Sequence, residues 1–332
     1  MKTQRLSSDR ITTLPESIIE NILCLVPIKD AVSTSVLSRE WRFRWTTIPK
    51  LVFSEYEFQV STTLNHIQPR KCKLFYAIFQ VLLVHQGPIH EFGLFINGDA
   101  TCVEIDRIIA HLARNSTLKK FTLSFNFPRL YKMPLSFFSL HHLTDLNLFR
   151  CYIDFQPVSS RFSSLTRLCL IDVRISTKTL LHLFEEYNHM VSDDDSTLIE
   201  LFKCLPMIED LTISYWVFQC FVEDSYAQVL RRTSLNHLKY FRVEGMFFTG
   251  RNDLLFIISL MRCSPNLEKL KLQKYRQMYV DEENCWNSDI ESITPEDYSD
   301  IWLYIRNSLA LLGILLHLPR ASPMVESMVK EL

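Results

Sequence analysis

Residues 143–148, Leu143-Thr144-Asp145-Leu146-Asn147-Leu148, place apolar side chains at the first, fourth and sixth positions. In an extended strand alternate side chains point to one face, so Leu146 and Leu148 point inward together. The same apolar-x-x-apolar-x-apolar spacing recurs at Ile89/Phe92/Leu94, Leu118/Phe121/Leu123, Leu165/Leu168/Leu170, Ile208/Leu211/Ile213, Leu238/Phe241/Val243 and Leu267/Leu270/Leu272.

The seven copies start 29, 25, 22, 43, 30 and 29 residues apart. That is close to the roughly 20–29-residue period of leucine-rich repeats, with the long interval marking an insertion or a missed copy. One short strand per copy, stacked in parallel, buries a core that no single copy could bury alone, which predicts a curved solenoid. The competing arrangement is an ordinary α/β domain.

Between the strands, Cys102, Ile105, Ile109 and Leu112, and again Leu254, Ile257, Ile258 and Met261, recur at helical spacing and predict helices on the outer face. Cys204-Leu205-Pro206-Met207-Ile208-Glu209 and Cys263-Ser264-Pro265-Asn266-Leu267-Glu268 repeat a turn in which proline stops the helix before the strand. Two acidic stretches break the pattern. Residues 185–196 hold Glu185, Glu186 and Asp193-Asp194-Asp195 and read as a loop within the long interval. Residues 281–300 hold Asp281, Glu282, Glu283, Asp289, Glu291, Glu296, Asp297 and Asp300 with no lysine or arginine, as expected of a solvated loop or of a partner-binding surface.

Residues 9–50 read as a separate module of three short helices. The first opens at Leu14-Pro15-Glu16, where proline lacks only a donor that has no partner in the first turn, with Thr12 or Thr13 as cap. Ile18, Ile19, Ile22, Leu23 and Val26 make an apolar face broad enough for an internal and an external surface, and Pro27 closes the helix. A second helix fits Asp30–Val36 and a third Ser38–Trp45, with Ser38 as cap and Ile48-Pro49 ending the run. So small a module is marginal alone and calls for a partner.

These residues resemble an F-box: Leu14-Pro15-Glu16-Ser17-Ile18-Ile19, Ile22-Leu23, Val26-Pro27-Ile28-Lys29-Asp30-Ala31-Val32 and Thr34-Ser35-Val36-Leu37-Ser38-Arg39-Glu40-Trp41-Arg42. The resemblance implies docking on the Skp-type adaptor of a cullin-based ubiquitin ligase. Its contact set would be Leu14, Pro15, Ile18, Ile22, Leu23, Pro27, Ala31, Val36, Leu37 and Trp41, with Val26 where the family more often has leucine. Trp41 and Trp45 could equally plug the module's own core. With the repeats and the Leu254–Leu272 stretch included, most of the chain is similar to plant-type F-box/FBD/LRR-repeat proteins.

Composition narrows the function. The 332 residues are 47% hydrophobic and 22% charged, with Lys+Arg 36 against Asp+Glu 37, so the basic excess of a nucleic-acid binder is missing. Arg39, Arg42 and Arg44, interleaved with Trp41, Phe43 and Trp45, read as a solvated helix face. The longest near-apolar run, Leu309–Leu318, is about half the ~20 residues of a membrane span. Nine singly spaced cysteines (24, 72, 102, 151, 169, 204, 220, 263, 285) offer no metal-ligand spacing and read mostly as buried hydrophobes. The odd cysteine count and polar start predict a cytosolic or nuclear setting, where the Asn115-Ser116-Thr117 sequon is without consequence.

Gly87, Gly93 and Gly98 form no phosphate loop, and His141-His142, His182 and His189 lack companions for metal or nucleophilic chemistry. A hydrolase-like enzyme would need a deep polar pocket. The expected organisation is a tail at 1–8, an F-box at 9–54, an irregular leucine-rich-repeat array at 55–275 and an acidic, shortened FBD-like region at 276–332, whose Leu309–Leu318 and Ala321-Ser322-Pro323-Met324-Val325 depart from the family's tail. The expected function is substrate recognition for an SCF-type ubiquitin ligase, non-enzymatic and without cofactor, metal, nucleic acid or membrane, through target-binding residues that the sequence does not name. The alternative is a non-degradative scaffold that binds the Skp adaptor, or a variant with an impaired target-binding end.

Overall fold

The computed structural model describes residues 14–58, 67–97, 103–114, 116–126, 129–154, 162–175, 205, 207–215, 217, 235–246, 260 and 264–274. The 1–8 tail, most of the 254–261 helix, both acidic stretches and the 276–332 region lie outside them. The chain divides into two compact units, Met1–Met190 and Val191–Leu332.

In the first unit, α1 (Glu16–Leu23) and α2 (Ile28–Ser33) start alike. Pro15 (φ −52°, ψ 144°) and Pro27 (φ −53°, ψ 144°) occupy the two N-cap positions, where a missing N–H costs nothing. The Pro15 carbonyl accepts the N–H groups of Ile18 and Ile19, and the Pro27 carbonyl those of Asp30 and Ala31. Pro27 therefore opens the second helix instead of closing the first.

The predicted third helix over Ser38–Trp45 is absent. Residues 38–43 form turns in which Ser38 Oγ accepts the Trp41 N–H at 3.4 Å, and Phe43 leaves helical geometry (φ −121°, ψ 5°) before a 3₁₀ turn at Arg44–Thr47. This break lets Trp41 and Trp45 both enter the interior with Ile19, Leu23, Ile28, Ala31 and Ile48.

The chain then runs directly into a parallel sheet through β1 (Lys50–Ser54). A 3₁₀ turn at Glu55–Phe58, the helix α3 (Ile67–Val84), β2 (Glu91–Asn97) and α4 (Val103–Ala113) follow. Next come β3 (Lys120–Asn126), the short β4 (Tyr131–Lys132), a 3₁₀ turn at Leu135–Ser139, β5 (Asp145–Phe149), β6 (Cys151–Ile153), β7 (Arg167–Ile171) and β8 (Arg174–Ile175). The α4 helix buries Ile105, Ile108, Ile109 and Leu112, the face its periodicity predicts.

Strands β1-β2-β3-β5-β7 pair in parallel, and register aligns Leu51, Phe92, Phe121, Leu146 and Leu168 in one row and Phe53, Leu94, Leu123, Leu148 and Leu170 in the next. Every one of these side chains is buried. Phenylalanine rings run through the core from Phe53 to Phe92 (5.9 Å between centroids), Phe121 (6.3 Å), Phe137 (6.2 Å) and Phe162 (5.4 Å). Burial and such aromatic contacts reinforce each other. Ile48/Leu51/Phe53 is thus a further copy of the apolar triplet, carried on β1.

A second ribbon, β4-β6-β8, runs parallel just beyond the main sheet. Arg150 (φ 56°) and Asp172 (φ 51°) turn the chain into it immediately after β5 and β7. In the second unit, β9 (Asp210–Ser214), β10 (Tyr240–Met246) and β11 (Lys269–Lys274) pair in parallel, aligning Leu211 with Phe241 and Leu270, and Ile213 with Val243 and Leu272.

The loop after α3 clasps the helical segment to the sheet. His85 Nε2 bonds the Ile48 carbonyl at 2.9 Å, and the Gln86 N–H donates to the Thr46 carbonyl at 2.8 Å. A Cβ on Gly87 would lie 2.4 Å from the Thr47 carbonyl oxygen. Gly87→Ala should therefore lower stability by about 1–3 kcal/mol through backbone displacement. An unchanged midpoint in thermal unfolding of the full chain would count against the clasp.

Candidate docking surfaces

Two prolines and two short helices decide which side chains the N-terminal segment turns inward. Of the residues expected to touch a partner, Leu23, Ala31 and Trp41 are buried, so their packing is internal to the chain. Leu14 is half-buried, and Pro15, Ile18, Ile22, Pro27, Val36 and Leu37 are exposed. On α1, Pro15, Ile18 and Ile22 share a face by their spacing of three and four.

Leu25 (84% exposed), Phe43 (62%) and the less exposed Val26 enlarge the apolar surface beyond the expected set. Leu25 continues the Ile18–Ile22 spacing by three, a signal present in the sequence. Phe43 is exposed only because the third helix is replaced by turns, which its local sequence does not announce. Arg44 lies over the Trp41 ring, 5.8 Å from its centroid, and so serves packing.

Lys29 Nζ donates to the Glu57 carbonyl at 3.0 Å and ties α2 to the turn after β1. The Glu57 side chain is poorly placed: Oε2 is buried without a hydrogen-bond partner. Burial pushes its carboxyl above the usual range, Asp30 adds to this, and Lys29 opposes it.

The face of the first sheet away from the core carries ordered rows. Lys50, Glu91, Lys120, Asp145 and Arg167 are register neighbours of alternating sign. Lys120–Glu91 (3.1 Å) and Arg167–Asp145 (2.8 Å) are ion pairs, each contributing little in water. Asn147 Nδ2 donates to Thr122 Oγ1 at 3.1 Å in the next row. At the strand ends the Asn97 N–H donates to Glu55 Oε2 (2.7 Å), Asn126 Nδ2 to Asn97 Oδ1 (3.2 Å) and Arg150 Nε to Asp172 Oδ2 (3.4 Å). These groups chiefly satisfy one another.

His90 Nδ1 is bonded to the Thr117 carbonyl and His85 to that of Ile48, so both rings brace backbone. His141 and His142 are exposed, while His182 and His189 lie outside the described residues. Cysteine packing differs from expectation: among the described residues Cys151 is buried, Cys24 and Cys169 are half-buried and Cys72 is exposed on α3. Burial drives the Cys151 thiol far above its ordinary value, the reverse of what a nucleophile needs. Among the described residues no group of three or more His, Cys, Asp or Glu could hold a metal ion, and no helix is long and apolar enough to cross a membrane.

Residues 11–53 match the F-box domain, so the chain carries an F-box at its start, and the match ends inside β1. One F-box/FBD/LRR-repeat protein of Arabidopsis thaliana is 26% identical to the chain, the alignment covering 80% of this chain and 76% of the relative. Two others of that description are 28% and 29% identical, covering 64% and 50% of this chain but only 44% and 37% of their own lengths. The chain thus spans about three quarters of the first and under half of the others. Over these spans the chain is similar to plant F-box/FBD/LRR-repeat proteins.

Because its folded-state proton affinity is raised, Glu57 favours the native state at low pH and disfavours it as pH rises through the shifted value. Glu57→Gln should raise the unfolding midpoint at pH 7, by under about 1 kcal/mol given its partial exposure, and leave it unchanged in acid. A Gln variant less stable at pH 7 would contradict this environment.

Proposed function

We propose that the chain is the substrate-recognition subunit of an SCF-type ubiquitin ligase. Its F-box, over residues 9–54, holds a Skp-type adaptor and through it a cullin. The repeats over 55–275 form a leucine-rich-repeat array that presents a target protein, and catalysis is proximity supplied to other subunits in the cytosol or nucleus. No residue of this chain is assigned chemistry.

The observation that carries the reading is the division of the F-box side chains. Ile19, Leu23, Ala31, Trp41 and Trp45 complete an internal core, while Ile18, Ile22, Leu25, Val36, Leu37 and Phe43 remain exposed in the same short segment. An apolar surface this rich in a charged, water-facing chain marks a protein interface. The contact set then comprises Leu14, Pro15, Ile18, Ile22, Pro27, Val36 and Leu37, with Leu23, Ala31 and Trp41 supporting them from within.

Co-purification with a recombinant Skp-type adaptor separates surface from support. Replacing Ile18 and Ile22 together by alanine should weaken the complex by about 2 kcal/mol or more, roughly thirtyfold, with an unchanged unfolding midpoint. Leu23→Ala should instead lower stability by about 2–5 kcal/mol. Undiminished adaptor binding by the double variant would remove the reading.

A further inference from the structure

The strand faces of the two units are charged differently. In the first, neighbours alternate in sign along the row from Lys50 to Arg167. In the second, Arg242 on β10 stands directly opposite Lys271 on β11, and Lys269 occupies the same face two residues earlier. Like charges directly opposed across a ladder destabilise a sheet.

Of the carboxylates nearby, Glu244 lies on the same face and is taken up by Arg242, and the others are committed elsewhere. Glu244 pairs with Arg242 Nη2, which also donates to Gln273 Oε1 at 2.9 Å. Glu209 pairs with Lys239 at 3.0 Å, and Glu268 accepts the Tyr240 hydroxyl at 3.1 Å. Among the described residues no ion pair reaches Lys269 or Lys271. Arg242 Nε is buried and has no acceptor, a costly state for a charged donor. Burial, followed by the charges of Arg242 and Lys269, holds the Lys271 ammonium below the ordinary lysine range.

An incoming carboxylate would neutralise the uncompensated lysine pair through charge-assisted bonds and offset the positive charge of Arg242 beside it. We propose that the face formed by Arg242, Lys269 and Lys271 docks an acidic, carboxylate-bearing peptide segment of the target protein. This rests on the target-presenting reading above and names the chemistry of the target.

The test uses the full chain and a fluorescently labelled peptide of alternating glutamate and alanine, with alternating glutamine and alanine as control, read by anisotropy. The glutamate peptide should bind in a salt-sensitive manner and the glutamine peptide should not. Replacing Lys269 and Lys271 by alanine should weaken binding at least about tenfold, while Lys271→Arg should retain it. Lys271→Gln should raise the unfolding midpoint by relieving the opposed charges, which a residue serving structure alone would not do. Equal binding of the two peptides, no binding of either, or undiminished binding by the double variant would overturn the proposal. Adaptor co-purification, run on the same variants, keeps its failure distinct: loss of the peptide with the adaptor retained strikes the docking face alone.

Discussion

One backbone interaction sets the register on which the rest depends. Within each unit, the residue that follows the first apolar position of a copy offers its carbonyl to two successive N–H groups of the next copy. Pro49 accepts from His90 and Glu91, His90 from Lys119 and Lys120, Lys119 from Thr144 and Asp145, and Thr144 from Thr166 and Arg167. In the second unit Glu209 accepts from Lys239 and Tyr240, and Lys239 from Glu268 and Lys269. A slip of one residue would expose every leucine of a strand, so these bonds and the apolar rows enforce the same alignment. The pattern also explains a proline at the first copy: His90, Lys119 and Thr144 each donate to the copy before, whereas Pro49, immediately before the edge strand β1, has no N–H to leave unsatisfied.

The start of the sheet therefore lies inside the F-box. Trp45 and Ile48 belong to the core of the helical segment, and three residues later Leu51 begins the core row that continues through Phe92. The His85 and Gln86 contacts close the same junction from the other side. Within the first unit the helical segment and the sheet are joined by shared backbone pairing instead of a linker, the fixed relation that the proposed function requires. Forty-odd residues too few to bury a core alone borrow one from the strands that follow.

The seven apolar triplets were legible because period-two alternation and burial coincide in the described strands up to β10, and β11 keeps the alternation with Leu270 and Leu272 half-buried. The eighth, Ile48/Leu51/Phe53, was hidden by Ile48-Pro49, which reads equally well as a helix stop. Proline misled again at Pro27, since the residue that ends one helix by sterics also begins another at a cap. Which face a six- or eight-residue helix turns inward is weakly encoded, and so Leu23, Ala31 and Trp41 could not be told from Ile18 and Ile22 by spacing alone. Strands of two and three residues such as β4, β6 and β8 carry too little alternation to register, and the left-handed turns at Arg150 and Asp172 that lead into them use no glycine to signal them. The opposed Arg242 and Lys271 become visible only once register is known.

Amide hydrogen exchange on the full chain, followed across residues 45–54 and 89–97, tests the shared junction most directly. Protection of β1 that opens together with β2, and separately from the exposed turn at 38–43, is the predicted result. Fast exchange throughout β1 while β2, β3 and β5 stay protected would show the F-box to be a separate module joined by a tether, and would contradict a junction built from shared backbone pairing.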